Sequence, residues 1–221
     1  EYNPRLIFFT KNGQSDGEPL FPGFLNHSCW SGIGTSSGGN VYIAVSNHQQ
    51  PQQPSDPHGN VAIYKYDPEK DSLSFLADLK SVSQVVNNWL PDESIYKVHS
   101  FLLENTTEGK MYFVSFEHSP TYYLRGSHLY SINIENDEIT DESKYHPYVM
   151  KKDFTVIPNN NNPSDTSGIL IQYYGLKSIA FNPHQPDLLY AVTYPDGYII
   201  RYSFSSGSIE KIPGGPYGSG H

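Results

Sequence analysis

A chain of 221 residues with a formal charge of −9 has no Lys/Arg stripe to neutralise phosphates, which argues against nucleic acid as a partner. Cys29 is the only cysteine, so an internal disulfide is excluded, and no apolar run reaches the roughly 20 residues of a membrane span. Charged residues make up only 17%, whereas 18 residues are Tyr and Asn, Ser, Gly and Pro abound. That composition fits many short, half-buried strands joined by turns, and it suits an exported protein, secreted or periplasmic.

In chain order, residues 1–20 contain the apolar run Arg5-Leu-Ile-Phe-Phe-Thr10, a candidate ring-closing strand. Three similar units follow, at about 24–80, 94–143 and 170–213. Each has a first strand beginning at His27, His99 or Lys177. Each has a second strand centred on an equivalent tyrosine, Tyr42, Tyr112 or Tyr190. A third strand starts at Gly59, Gly126 or Gly197, and a short fourth strand follows a polar turn. The strands alternate in character, the signature of half-buried sheet. Polar insertions join strand two to strand three in the first two units, between His48 and Gly59 and between His118 and Gly126. The third unit has only the tight turn Pro195-Asp196-Gly197 there, and the Asn-rich stretch from Pro158 to Ser167 reads as a linker.

Four antiparallel strands repeated in tandem predict an all-β fold: one β-propeller domain over residues 1–221 with about three recognisable four-stranded blades. Three blades fall short of the usual closed ring. The chain is therefore expected to be part of a larger propeller, a half-propeller that self-associates, or a ring with an unrecognised fourth blade.

The segment Lys97-Val-His-Ser-Phe-Leu-Leu, followed by Glu108-Gly-Lys-Met-Tyr-Phe-Val-Ser-Phe-Glu-His118, resembles a blade of secreted bacterial propellers related to oligogalacturonate lyases. The resemblance covers 97–118 and, more loosely, the first unit; Ser-Phe-Glu-His stands where such blades carry a Thr-His pair. It implies a propeller fold. It also implies that His27, His99, His48 and His118 face the channel, where such lyases hold a divalent metal.

The repeat itself points to the same residues. His27, His99 and Lys177 share the slot at the start of strand one; His48, His118 and Asp196 share the slot at the end of strand two. In antiparallel strands these slots lie at the same end of a blade, so the four histidines and Asp196 are expected on one face. Neutral histidines with a carboxylate suit Mn, Zn or Fe, and Lys177 would hold a carboxylate or take part in proton removal. Trp30, Trp89, Tyr173, Tyr174 and, as the better surface candidates, Tyr122 and Tyr123 in the second insertion could supply stacking platforms for sugars, and Arg125 beside the last two is a candidate bidentate fork for a carboxylate. His58, His128, His146 and His184 do not recur in register, and His184, in the turn Asn182-Pro-His-Gln-Pro186, reads as structural. Two functions fit these features: a binding propeller whose loop-rich face recognises a glycan or protein, or a metal-assisted lyase or hydrolase acting on an acidic sugar, with His99, His27 and Lys177 as catalytic candidates.

Overall fold

The computed structural model describes residues 28–49, 58–116, 125–162 and 167–217. The first blade is formed by β1 (Ile33–Thr35), β2 (Val41–Ser46), β3 (Val61–Asp67) and β4 (Ser72–Asp78), paired in that order. A helix, α1 (Leu79–Val85), follows at once; the carboxylate of Asp78 caps it by accepting from Ser81 N at 2.9 Å.

The second blade contains β5 (Lys97–Val98), β6 (Leu103–Asn105), β7 (Lys110–Phe116), β9 (Leu129–Asn133) and β10 (Ile139–Asp141). Its inner edge is interrupted: β5 and β6 both pair with β7 but are separated by residues 99–102. β8 (Gly126–Ser127) leaves this blade for a sheet of its own with β11 (Tyr148–Met150), β12 (Val156–Pro158) and β13 (Ile171–Gln172). The last blade, β14 (Gly175–Asn182), β15 (Gln185–Tyr194), β16 (Ile199–Ser203) and β17 (Ile209–Lys211), is again a four-stranded meander.

The fold is all-β and propeller-like, with four-stranded meanders at β1–β4 and β14–β17 and the second blade between them in the chain. The intervening sheet was not expected. It takes β11 and β12 from the inter-blade stretch, β8 from the start of the expected third strand of the second unit and β13 from the start of the third unit, and its strands of two or three residues are too short to show a period.

The blades stack through strict alternation along strand two. In β7, Met111 and Phe113 are buried against the first blade, with Tyr42, Ala44, Val61 and Ile63. Tyr112 and Val114 are buried on the opposite side, with Leu176, Leu189, Ala191 and Ile200 of the last blade. Each such side chain stabilises the stack by about 1.5–3 kcal/mol, and neither face of the central blade could be left open. The inner strands approach closely: Leu102 N donates to Ile33 O at 3.2 Å, and a Cβ on Gly34 would lie 1.9 Å from Leu102 O. Only glycine allows that contact.

Candidate functional site

The strand pairing gives the repeat a stricter register than motif similarity does. Ser46, Phe116 and Tyr194 each lie four residues beyond the equivalent tyrosine, and they face Ser28, Lys97 and Gly175 respectively. Two residues further on stand Trp30, His99 and Lys177. The partner of His99 in the first blade is therefore Trp30, not His27. In all three blades this residue sits where the ladder breaks: an isolated bridge ends at Ser28, β5 ends at Val98, and the β14–β15 register shifts between Leu176 and Ser178. Such irregularities turn a side chain out of the pleat.

The released side chains converge with the ends of strand two. The Lys97 ammonium lies 3.7 Å from the centre of the Trp30 ring, 5.0 Å from Tyr96 and 5.1 Å from Phe116. The His99 ring is 5.8 Å from Trp30 and 5.5 Å from Phe116. His48, with φ of 58°, stacks on Tyr96 at 4.1 Å and reaches Trp30 at 5.9 Å. Phe116 meets Tyr194 of the last blade at 5.2 Å. Trp30 is 55% exposed, so the cluster has an open aromatic surface.

The electrostatics are cationic. Burial, then the charge of Lys177, pushes the Lys97 ammonium below the usual lysine range. Burial, with Lys97 and Lys177 adding, holds His99 below the usual imidazole range, so it is neutral near pH 7. On a chain of charge −9, this end of the blades is a local positive, aromatic pole.

His48 and His99 both neighbour Trp30, and Lys177 is close enough to Lys97 and His99 for its charge to lower both pKa values. Asp196 is exposed in the β15–β16 hairpin, where its charge adds to the burial that raises Tyr174. His27, His118, Tyr122, Tyr123 and residues 1–20 lie outside the described residues. Among the described residues, no group of three or more His, Cys, Asp and Glu is placed to hold a metal ion, and the Trp30 ring neighbours both His48 and His99. Tyr96, Lys97 and Phe116 were not among the expected site residues, and Trp30 was expected only as one of several aromatic platforms. Counting strand pairs outward from Tyr42, Tyr112 and Tyr190 would have found Trp30 and Phe116.

Arg125 requires a correction. It was expected as a ligand-reading fork beside the insertion, but it is fully buried and its fork is already occupied. Nη1 donates to Glu93 Oε2 at 2.7 Å and Asn88 O at 3.1 Å; Nη2 donates to Asn88 Oδ1 at 2.8 Å and Ser167 O at 2.7 Å. The other Glu93 oxygen meets His128 Nε2 at 2.6 Å, and His128 Nδ1 meets Asp141 Oδ2 at 2.9 Å. Burial alone would lower the His128 pKa, but Asp141 and Glu93 on either side raise it to about 10. The result is a buried row of alternating charges, Arg125, Glu93, His128 and Asp141. It anchors the loop that leads through Ile95 into Tyr96 and Lys97.

The fold and this pole together define a propeller-like all-β protein with one aromatic, cationic end. No family model and no curated protein matches the chain. Among solved structures, it is similar to an auxiliary nutrient binding protein from Bacteroides ovatus, at 14% identity and a TM-score of 0.41, over 85% of this chain and 32% of that one. A candidate 6-phosphogluconolactonase from Bacteroides fragilis is 14% identical, with a TM-score of 0.33 over 82% of this chain and 55% of that one. The periplasmic gluconolactonase of Pseudomonas aeruginosa is 13% identical, with a TM-score of 0.30 over 81% and 55%. The chain therefore spans between a third and about half the length of these proteins. The fold assignment rests on the sheets described above.

Proposed function

We propose that this chain is an exported, ligand-binding propeller whose aromatic, cationic pole recognises an acidic glycan. One observation carries the reading: the Lys97 ammonium lies 3.7 Å from the centre of the exposed Trp30 ring, with the Lys177 charge close enough to depress it. A carbohydrate carboxylate placed between the two lysines would relieve their repulsion. Its ring would lie on the indole face, and neutral His99 would accept or donate a hydrogen bond. Export is supported by composition alone: low charge, a single cysteine and many Asn, Ser and Tyr residues. Among the described residues, no helix is long and apolar enough to cross a membrane.

Isothermal titration with a hexuronate oligosaccharide and its neutral counterpart tests the reading. Binding of the acidic form alone, lost in Trp30→Ala and weakened at least about tenfold in Lys97→Met, is expected, since a charge-assisted contact is worth about 1.5–3 kcal/mol. Equal binding of both oligosaccharides, or of neither, contradicts it.

A second reading is cleavage of that glycan. It is favoured by the neutral state of His99 beside two lysines, which suits a proton acceptor. In this reading His99 and Lys177 would move the proton, and a divalent metal (Mn, Zn or Fe) would be held by His27, His48, His118 and Asp196, with His99 as a ligand only if Lys177 alone takes the proton. Ultraviolet detection of an unsaturated uronate product, with and without added metal, separates cleavage from binding.

A further inference from the structure

A cavity of about 360 Å³ opens at the opposite end of the second blade. Lys110 at its mouth and Phe116 at the cationic pole are the two ends of β7, about 20 Å apart at the rise of an extended strand. The two places are therefore separate. Their electrostatics are also opposite in sign.

One wall comes from the entry to β7. Tyr112 Oη donates to Glu108 Oε2, which fixes that carboxylate at the rim. The floor holds Glu142, whose Oε1 accepts from Lys110 Nζ at 2.8 Å and from Ser131 Oγ at 2.6 Å. The far wall is the turn between β16 and β17, with Tyr202, Phe204 and Ser205. His146 lies between floor and wall, buried and stacked on Tyr202 at 4.4 Å. Its Nδ1 has no hydrogen-bond partner among the described residues, and burial lowers its pKa to about 4. The exposed Tyr145 ring stands at the mouth.

We infer that this cavity is a second ligand site, built for a neutral polyhydroxyl ligand the size of a single sugar ring. The lining is rich in acceptors: two carboxylates and serine hydroxyls against one ammonium. Hydroxyl groups donate to such a lining, whereas the two carboxylates repel an anion. Aromatic faces flank the polar floor, and the volume lies at the lower end of the roughly 300–1,000 Å³ typical of small-molecule sites. A neutral imidazole offers one donor and one acceptor, which a polyol can match.

The test is ligand-observed saturation-transfer NMR on the full chain with methyl glycosides of glucose, galactose, mannose and xylose, and with glucuronate. At least one neutral glycoside is expected to receive saturation. The signal should disappear in Ser205→Trp, which fills the cavity from an exposed turn position, and decrease in Tyr145→Ala. It should persist in Trp30→Ala, which alters only the opposite pole. Circular dichroism confirms folding of each variant, and Tyr145→Ala decides if Ser205→Trp does not fold. No transfer to any neutral glycoside, or full transfer in a folded Ser205→Trp, overturns the inference. So does glucuronate transfer that survives Trp30→Ala and disappears in Ser205→Trp.

Discussion

Glu93→Gln attacks the buried charge row at its centre. Glu93 accepts from Arg125 Nη1 at 2.7 Å, His128 Nε2 at 2.6 Å and Leu90 N at 2.8 Å, and the side chains of Glu93, Arg125 and His128 are all fully buried. An amide keeps one acceptor but turns an N–H toward donors. It removes the negative charge between the Arg125 guanidinium and the His128 imidazolium and leaves Asp141 as the carboxylate against His128. Removing one partner of a buried pair costs about 3–5 kcal/mol, and each kcal/mol moves the melting point of a chain this size by about 2–4 °C, so a fall of about 6–20 °C is expected. Urea unfolding followed by circular dichroism supplies the free energy. Lys65→Met is the comparison: it removes the Lys65–Asp137 pair, equally short at 2.8 Å but with side chains 18% and 30% exposed, and should cost under about 1 kcal/mol. The same row holds the loop that carries Tyr96 and Lys97, so Glu93→Gln should also weaken binding at the cationic pole. A folded Glu93→Gln within about 1 kcal/mol of the native chain would refute the charged-row account.

The pH dependence follows from two histidines. His128 is raised from 6.5 to about 10 in the folded chain, so its stabilising contribution is complete below pH 6.5 and is lost as pH rises through 10. His146 is lowered to about 4, so its contribution is complete above pH 6.5 and is lost as pH falls through 4. Urea midpoints should therefore decline on both sides of pH 6.5, and imidazole nitrogen shifts should show His128 protonated and His146 neutral at that pH; the reverse assignment contradicts the packing. Gly168→Ala should cost at least about 2 kcal/mol in urea unfolding, because φ is +72° and a Cβ would lie 1.9 Å from Asn88 Oδ1 and 2.7 Å from Arg125 Nη2. Binding of an acidic oligosaccharide through Lys97 and Trp30 should survive excess chelator in calorimetry, whereas its loss would favour the metal-assisted reading.

Blade positions were legible in the sequence because strand two carries the stacking information. In β7 its alternation around Tyr112 places successive side chains on opposite neighbours. The nearness of the strand-one and strand-two slots was legible as well, since antiparallel strands bring the start of one and the end of the next together. Which residues occupy it was only partly legible. The first-blade equivalent of His99 depends on the pairing of Ser28 with Ser46, which no motif reports. Trp30 therefore went unassigned as a neighbour of His99, although the two rings stand 5.8 Å apart. The buried row was invisible for a different reason. Glu93, Arg125, His128 and Asp141 have no common spacing, and a pin that occurs once in the fold does not recur between repeats. His128 looked unremarkable because it does not repeat.

The most direct test of the cationic pole as the recognition face is a titration of the two tryptophan indole N–H resonances with a hexuronate oligosaccharide, assigned through Trp30→Phe. Trp30 is exposed at the pole, whereas Trp89 packs against the core between the first two blades. The account predicts that the Trp30 indole shifts in a saturable manner with the acidic oligosaccharide and not with a neutral one, while Trp89 stays in place. A Trp30 resonance that does not move while the oligosaccharide binds would contradict it.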